Sequence, residues 1–220
     1  MGNLDLYCVT NKKLRFLEKT NLKLVGVGQE NFSNEYLKCD EKNNIYYKEK
    51  HYSELTFHYW YWKNILPNEN KKWVGFCQKR RFWLKSENLE NTITKDNLND
   101  HLLTNIDDKL NEYESFICNP ISLMGAKKIK IIKKGWKNLI KDPSILFRKE
   151  KESILLHFDM HHGYGNLEKA IDLLDKENKY DFLEYVKNKT SYNPHIMCIS
   201  KPKILDKWFK DLFPWLERCE

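Results

Sequence analysis

The chain has 220 residues, with 38 Lys and Arg against 31 Asp and Glu for a net charge of +7, and it is 41% hydrophobic and 14% aromatic. That composition excludes overall disorder and, at this length, can enclose one substantial core. No run approaches the roughly 18 uncharged apolar residues of a membrane span, and the opening MGNLDLYCVTNKKLRF lacks the pattern of a secretion signal, so the expectation is a cytoplasmic protein.

In chain order, residues 4–10 read as a buried strand running into the polar turn Asn11-Lys12-Lys13, and residues 22–27 as a second strand ending at Gly26-Val27-Gly28. Residues 31–50 are polar and read as a surface excursion without a motif. From 52 to 66 the period becomes helical: Leu55, Tyr59, Trp62 and Leu66 share one face, and Glu54, His58 and Tyr61 share another. Pro67 stops that helix. Residues 73–77 form an unalternating run suited to a central strand, followed directly by Gln78-Lys79-Arg80-Arg81.

A helix is expected over 95–113, with Leu98, Leu102, Ile106 and Leu110 on one stripe, and a strand over 116–118. Strands alternating with helices predict an α/β fold with a mostly parallel central sheet flanked by helices. Residues 127–134, KKIKIIKK, read as a basic strand or hairpin arm with a solvated edge. His157 to Gly165 reads as a histidine-rich loop before a helix capped by Asn166, with Leu167, Ala170, Ile171 and Leu174 inward. A strand over 196–199 and a helix after Pro202, kinked or ended by Pro214, close the chain. Without a repeat or a low-complexity linker, residues 1–220 are expected to form a single domain.

Six cysteines (Cys8, Cys39, Cys77, Cys118, Cys198, Cys219) include no C-x-x-C pair, and four lie in apolar runs. They read as reduced core thiols of a cytosolic protein. Of the 38 cations 33 are Lys, which singles out the adjacent pair Arg80 and Arg81. Ligands of an open α/β sheet sit beyond the carboxyl ends of its strands, where Gln78, Lys79, Arg80 and Arg81 fall. Guanidinium groups suit a diphosphate through paired hydrogen bonds, and the bland alternative is a basic surface turn. Among His157, Asp159, His161 and His162, a carboxylate or imidazole could take a proton from a hydroxyl, a metal ion could bind, or the residues could be ordinary loop polar groups. Glu54, His58 and Tyr61 would lie along the rim of the core or in solvent. No phosphate-binding loop, dinucleotide fingerprint, nucleophile elbow or zinc-protease motif is present in the sequence.

Several segments together resemble a known family. Tyr52-Ser53-Glu54-Leu55-Thr56 with Tyr59-Trp60 and Trp62-Lys63-Asn64, then Val74-Gly75-Phe76-Cys77-Gln78-Lys79-Arg80-Arg81-Phe82-Trp83, are similar to a bacterial glycosyltransferase family of capsular and exopolysaccharide biosynthesis. Tyr7-Cys8-Val9-Thr10-Asn11-Lys12-Lys13, the His-His segment, and Ile196-Met197-Cys198-Ile199 with Trp208-Phe209 and Leu212-Phe213-Pro214-Trp215-Leu216 extend the likeness over most of the chain. Gln78-Lys79 departs from the family's usual His-Tyr, and His195 from its usual Asn.

The resemblance implies a GT-A-like nucleotide-sugar-binding fold and sugar transfer, from a donor that by analogy is a UDP-sugar to a glycan or lipid-linked oligosaccharide, in capsule, exopolysaccharide or lipopolysaccharide synthesis. Such enzymes usually hold the diphosphate through a metal on D-x-D, which this sequence lacks. The expectation is therefore that Gln78, Lys79, Arg80 and Arg81 hold the diphosphate without a metal. The alternative is manganese or magnesium held by Asp159 and His161. Thr10, Asn11, Lys12, Gly26 and Gly28 would hold base and ribose, Glu54 and Thr56 would line the donor pocket, and Asp159, His161 or His162 would be the base. A net charge of +7 also suits peripheral contact with the anionic inner membrane. The rival readings are a nucleic-acid-binding protein, for which the diffuse lysines argue poorly, and a catalytically inactive module that binds a nucleotide sugar.

Overall fold

The computed structural model describes residues 2–85 and 92–220. They fall into two compact units, Met1–Cys118 with Ile196–Lys210 and Asn119–His195 with Asp211–Glu220.

The first unit is built on a six-stranded sheet. Strands β1 (Leu4–Thr10), β2 (Lys23–Gly26), β3 (Leu37–Lys38) and β4 (Trp73–Gln78) are mutually parallel, in the order β3-β2-β1-β4. Beyond β4 the sheet continues with β8 (Cys198–Ser200), antiparallel to β4, and then with β5 (Ser115–Ile117) at the edge. This is the expected α/β class with a mostly parallel sheet.

Both faces of the central strands are covered, which is why β1 and β4 are apolar without alternation. On one face, Leu4, Leu6 and Cys8 of β1 and Trp73 and Cys77 of β4 pack with Leu17, Leu22, Leu98, Leu102 and Ile106. On the other, Tyr7 and Phe76 meet Phe57 and Tyr61 of helix α2 (Leu55–Asn64), with ring centroids 5.2–6.1 Å apart. Helix α1 (Glu49–Tyr52) precedes α2 across a break at Ser53, where φ is +47°.

Three expectations are corrected here. The face of α2 that reaches the sheet is Phe57, His58 and Tyr61, whereas Tyr59 and Trp62 are only half-buried. Every turn of this helix carries aromatic residues, so hydrophobicity alone does not single out an inner face. The 95–113 helix shortens to α3 (Leu98–His101) and a 3-10 turn at Asp108–Leu110. Leu98, Leu102 and Ile106 still enter the core, Leu98 from α3 and Leu102 and Ile106 from the non-helical chain after it. The helix after Pro202, α9 (Pro202–Arg218), continues past Pro214 to Arg218, so Pro214 does not end it. A proline there forfeits one backbone bond, and beyond it the Trp215 indole and Arg218 Nε donate to the carbonyls of Ala170 and Leu173 at 2.6 and 2.8 Å.

The second unit is mainly helical: α4 (Lys128–Lys134), α5 (Trp136–Lys141), α6 (Ile154–His162), α7 (Asn166–Asp172) and α8 (Lys176–Asn188), with the short ladder of β6 (Ile121–Ser122) and β7 (Ser191–Tyr192). Two small cores hold it, one around Ile131, Ile145, Leu156 and Met160, the other around Ile154, Leu167, Ile171 and Val186.

KKIKIIKK is thus a helix, not a strand: only Ile131 turns inward, and lysines favour the helical backbone. His157 to His162 are the last turns of α6 rather than a loop, and the α6–α7 turn is only Gly163–Gly165. Gly165, in the left-handed region, occupies the N-cap of α7, while the Asn166 amide donates back to the His162 carbonyl at 2.9 Å. Among the described residues no helix is long and apolar enough to cross a membrane.

Candidate functional site

Strands β1, β2 and β4 run in parallel and end at Thr10, Gly26 and Gln78, so the three loops that follow share one edge of the sheet. From β1 the strand order proceeds one way through β2 and the other way to β4, so the carboxyl ends of β1 and β4 form a topological switch point, the place where open α/β sheets bind ligands. The Lys79 ammonium joins the two loops there by donating to Asn11 Oδ1.

Behind Lys79 the chain turns tightly. Gln78 N–H donates to the Arg81 carbonyl at 3.2 Å and Arg81 N–H to the Gln78 carbonyl at 3.1 Å, leaving Lys79 and Arg80 at the tip. The Gln78 side chain is held from both ends: its amide donates to Glu54 Oε2 at 2.9 Å, and its oxygen accepts from Arg81 Nη1 at 3.4 Å. Both arginines are exposed. Among the described residues no carboxylate forms an ion pair with Lys79, Arg80 or Arg81. Arg81 also sits close enough to Cys118 to oppose the upward push of burial on that thiol. Three cations at the switch point, without a carboxylate partner among the described residues, make a site for a polyanion.

The other candidates on this edge divide into exposed and buried groups. Asn11 and Lys12 are exposed. Thr10 is buried, its hydroxyl donating to the Lys12 carbonyl at 2.7 Å, so it shapes the turn. Gly26 makes room for Phe32, whose ring would lie 2.4 Å from any Cβ there. Gly28 has φ +87°, open to glycine at little cost, and its carbonyl accepts from the Tyr46 hydroxyl. Thr56 is fully buried, with its hydroxyl on the Ser53 carbonyl at 2.7 Å, securing the start of α2. It also faces Cys39, whose thiol burial pushes up to about 12, a rise that contact with Thr56 partly offsets.

Tyr46 and Glu49 belong to this edge as well. The Glu49 carboxylate would lie 3.2 Å from a Cβ on Gly28. Both come from the segment that reads as a featureless excursion, and no spacing in it marks them.

His58 of the supposed rim is a core residue, 1% exposed, its ring 4.2 Å from that of Phe76 and its Nδ1 without a partner among the described residues. Burial pushes its pKa down to about 3, so it is neutral. Tyr61 is likewise buried, its hydroxyl donating to Glu69 Oε2 at 2.7 Å, and burial first, then Glu69, raises its pKa.

Asp159, His161 and His162 lie in the second unit. Asp159 is 5% exposed, and both its oxygens are engaged: Oδ2 accepts from the Asn138 amide and Oδ1 from Gly165 N–H, each at 3.0 Å. It therefore ties α5 to the glycine turn before α7. His161 and His162 are exposed, His161 with Nδ1 2.8 Å from the His157 carbonyl and His162 with its ring against Phe158. Burial lowers the pKa of His157, with His161, Lys130 and His162 adding to the shift.

A divalent ion on Asp159 and His161 does not fit this geometry. Two residues apart on a helix, they point about 200° apart, and the carboxylate is already engaged on both oxygens. Among the described residues no three His, Cys, Asp or Glu side chains are grouped to hold a metal.

A family model described as a domain of unknown function (DUF4422) matches residues 5–220. The chain belongs to the DUF4422 family. Comparison with curated proteins finds no match. Among solved structures, the apo structure of the bifunctional glycosyltransferase WbbM is similar in fold, with a TM-score of 0.64 and 17% sequence identity over 98% of this chain. The DUF4422 chain spans 37% of that longer chain. The likeness extends to the fold, in keeping with the α/β architecture described above.

Proposed function

We propose that this DUF4422 chain is a glycosyltransferase that moves a sugar from a nucleotide-sugar donor, by analogy a UDP-sugar, to a glycan or lipid-linked acceptor in capsule, exopolysaccharide or lipopolysaccharide synthesis. The observation that carries the reading is the cation turn at the switch point between β1 and β4, with Lys79 on Asn11 and Arg80 and Arg81 exposed. A shared fold with a glycosyltransferase supports the same reading.

In the proposed reaction the acceptor hydroxyl oxygen bonds to the anomeric carbon as the bond from that carbon to the diphosphate oxygen breaks. The diphosphate leaves with the electron pair, and the hydroxyl proton passes to a base. Lys79, Arg80 and Arg81 would neutralise the departing charge, held in place by Gln78 and Glu54. Asn11, Lys12 and the backbone at Gly26 and Gly28 would face base and ribose, with Thr10 and Thr56 shaping that wall from behind. In the helical unit, His161 and His162 are proposed as proton acceptors on the strength of their exposed imidazoles alone, and Asp159 as a positioning residue within that unit.

The test is a thermal-shift panel of nucleoside diphosphates and nucleotide sugars, followed by transfer assays with and without a strong chelator. Stabilisation by one nucleotide class, weakened in Lys79→Ala and Arg80→Ala, together with chelator-resistant transfer, is the expected result. Absence of stabilisation by any of them, with salt-sensitive nucleic-acid binding instead, would sink the proposal. Stabilisation without transfer to any acceptor would mark an inactive sugar-nucleotide module.

A further inference from the structure

The positive charge of the molecule is concentrated in one place. Residues 127–151 hold ten Lys or Arg against two carboxylates, a net of +8, whereas the rest of the chain has 28 cations against 29 carboxylates. The entire positive excess belongs to α4, α5 and the 3-10 turns after them.

The same segment leaves large apolar side chains in water. Ile131 of α4 is buried and Leu139 of α5 packs against the same core, which fixes the outward sides of both helices. At about 100° per residue, Ile129 and Ile132 stand together on the outer side of α4 between Lys128 and Lys133, and Trp136 and Ile140 stand together on α5 beside Lys137. Ile129 is 61% exposed, Ile140 71% and Phe147 79%, with Ile132 and Trp136 about half exposed. The ammonium groups lie among these side chains: Lys128 Nζ is 5.5 Å from the Phe147 ring centroid and Lys137 Nζ 5.7 Å from that of Trp136.

Apolar ridges flanked by lysines suit a surface whose outer layer is anionic and whose next layer is hydrocarbon. Three of the five apolar side chains, Ile129, Ile132 and Ile140, are branched aliphatics that give bases nothing to stack on, so the ridges as a whole suit hydrocarbon better than a nucleic acid. A second copy would bring +8 against +8. We propose that α4, α5 and the turn at Phe147 dock this chain onto an anionic lipid bilayer. The lysines meet the phosphates of the headgroups, and Ile129, Ile132, Trp136, Ile140 and Phe147 enter the boundary of the acyl chains. The proposal stands independently of the transfer reaction.

The experiment is co-sedimentation of the full chain with vesicles of equal parts phosphatidylglycerol and phosphatidylcholine, against phosphatidylcholine alone. Binding is expected only to the anionic vesicles and is expected to weaken with salt. Lys128→Glu with Lys133→Glu should lower it about twentyfold or more, at roughly fivefold per lysine. Ile129→Ser with Ile140→Ser and Phe147→Ser should lower it about tenfold or more. All these side chains point outward, so both variants should retain the parent circular dichroism. In the unsubstituted chain, amide exchange over residues 128–141 should slow when anionic vesicles are added. Equal binding to both vesicle types, unchanged exchange over 128–141, or undiminished binding in both variants overturns the proposal. So does a vesicle-free dimer that protects this face, or tighter retention by double-stranded RNA than by vesicles. Transfer to a water-soluble acceptor separates the two readings: it persists in both docking variants if the transferase proposal holds, and its absence leaves the vesicle result untouched.

Discussion

The two units present cations in opposite ways. In the sheet unit, Lys79, Arg80 and Arg81 sit on one tight turn, set by backbone hydrogen bonds and by a Gln78 side chain pinned between Glu54 and Arg81. In the helical unit, lysines are distributed along α4 and α5 among exposed Ile, Trp and Phe side chains. A trio of charges on one tight turn suits a small polyanion, and a distributed field suits an extended surface. Counting cations does not distinguish the two; what lies between them does.

The sharpest way to break that comparison is to exchange the roles. Removing Arg80 and Arg81 together as alanines should lower transfer about a hundredfold or more, the scale of losing preorganised charge stabilisation, and leave vesicle binding intact. Parallel transfer and co-sedimentation assays on that variant measure both, and an equal loss in each would show that the two cation sets act as one. Arg80→Lys should recover only part of the rate, because an ammonium lacks the paired donors of a guanidinium.

Asp159→Ala acts on stability rather than on rate. The Asn138 amide and Gly165 N–H would each lose a charge-assisted acceptor, costing about 2 kcal/mol of stability in the helical unit. Asp159→Asn should recover part of this by keeping one acceptor oxygen. Denaturant melts of both variants read the effect; an unchanged midpoint in Asp159→Ala would return Asp159 to the role of proton acceptor.

The sheet unit should respond to acid through His58. Its pKa in the folded chain lies near 3, below the value of about 6.5 in an unfolded chain. The unfolded state therefore gains a proton first, and the stability is complete above about pH 6.5 and falls as pH drops toward 3. The slope approaches about 1.4 kcal/mol per pH unit. His58→Phe fills the same apolar site beside Phe76 and Phe209 and should flatten this dependence, as equilibrium unfolding between pH 7 and 4 will show.

The smallest effect belongs to the helical unit. Lys151 first, then Ser144, pull the Asp142 carboxyl down to about 2. Because this folded value lies below the ordinary one, the contribution is present above about pH 4 and is lost as pH falls from there toward 2. The group is exposed, so Lys151→Met should shift an acid melt only slightly.

Much of the sheet edge is legible in the residues themselves. Runs such as LDLYCVT and WVGFCQ, largely apolar and ended by polar turns, read as doubly covered strands, and they are the central pair β1 and β4. Gln78 to Arg81 directly after β4 falls at the carboxyl edge because parallel strands must place such loops together. By contrast His58 reads as a polar stripe and is a core ring, since on a helix aromatic all round neither side is marked as inner. Tyr46 and Glu49 come to Gly28 across a segment without pattern, and their neighbours in sequence carry no sign of it.

What the sequence determined by itself was local and periodic: the central strands, the cation turn after β4, and the α/β class with a mostly parallel sheet. What only tertiary structure decided was which side of each element meets a partner. That choice made KKIKIIKK a helix with two isoleucines in water, gave Asp159 to Asn138 and Gly165, and carried Leu102 and Ile106 into the core on non-helical chain. The physical reason is that burial is settled by contacts distant in sequence, and spacing along the chain records only the period with which a face recurs.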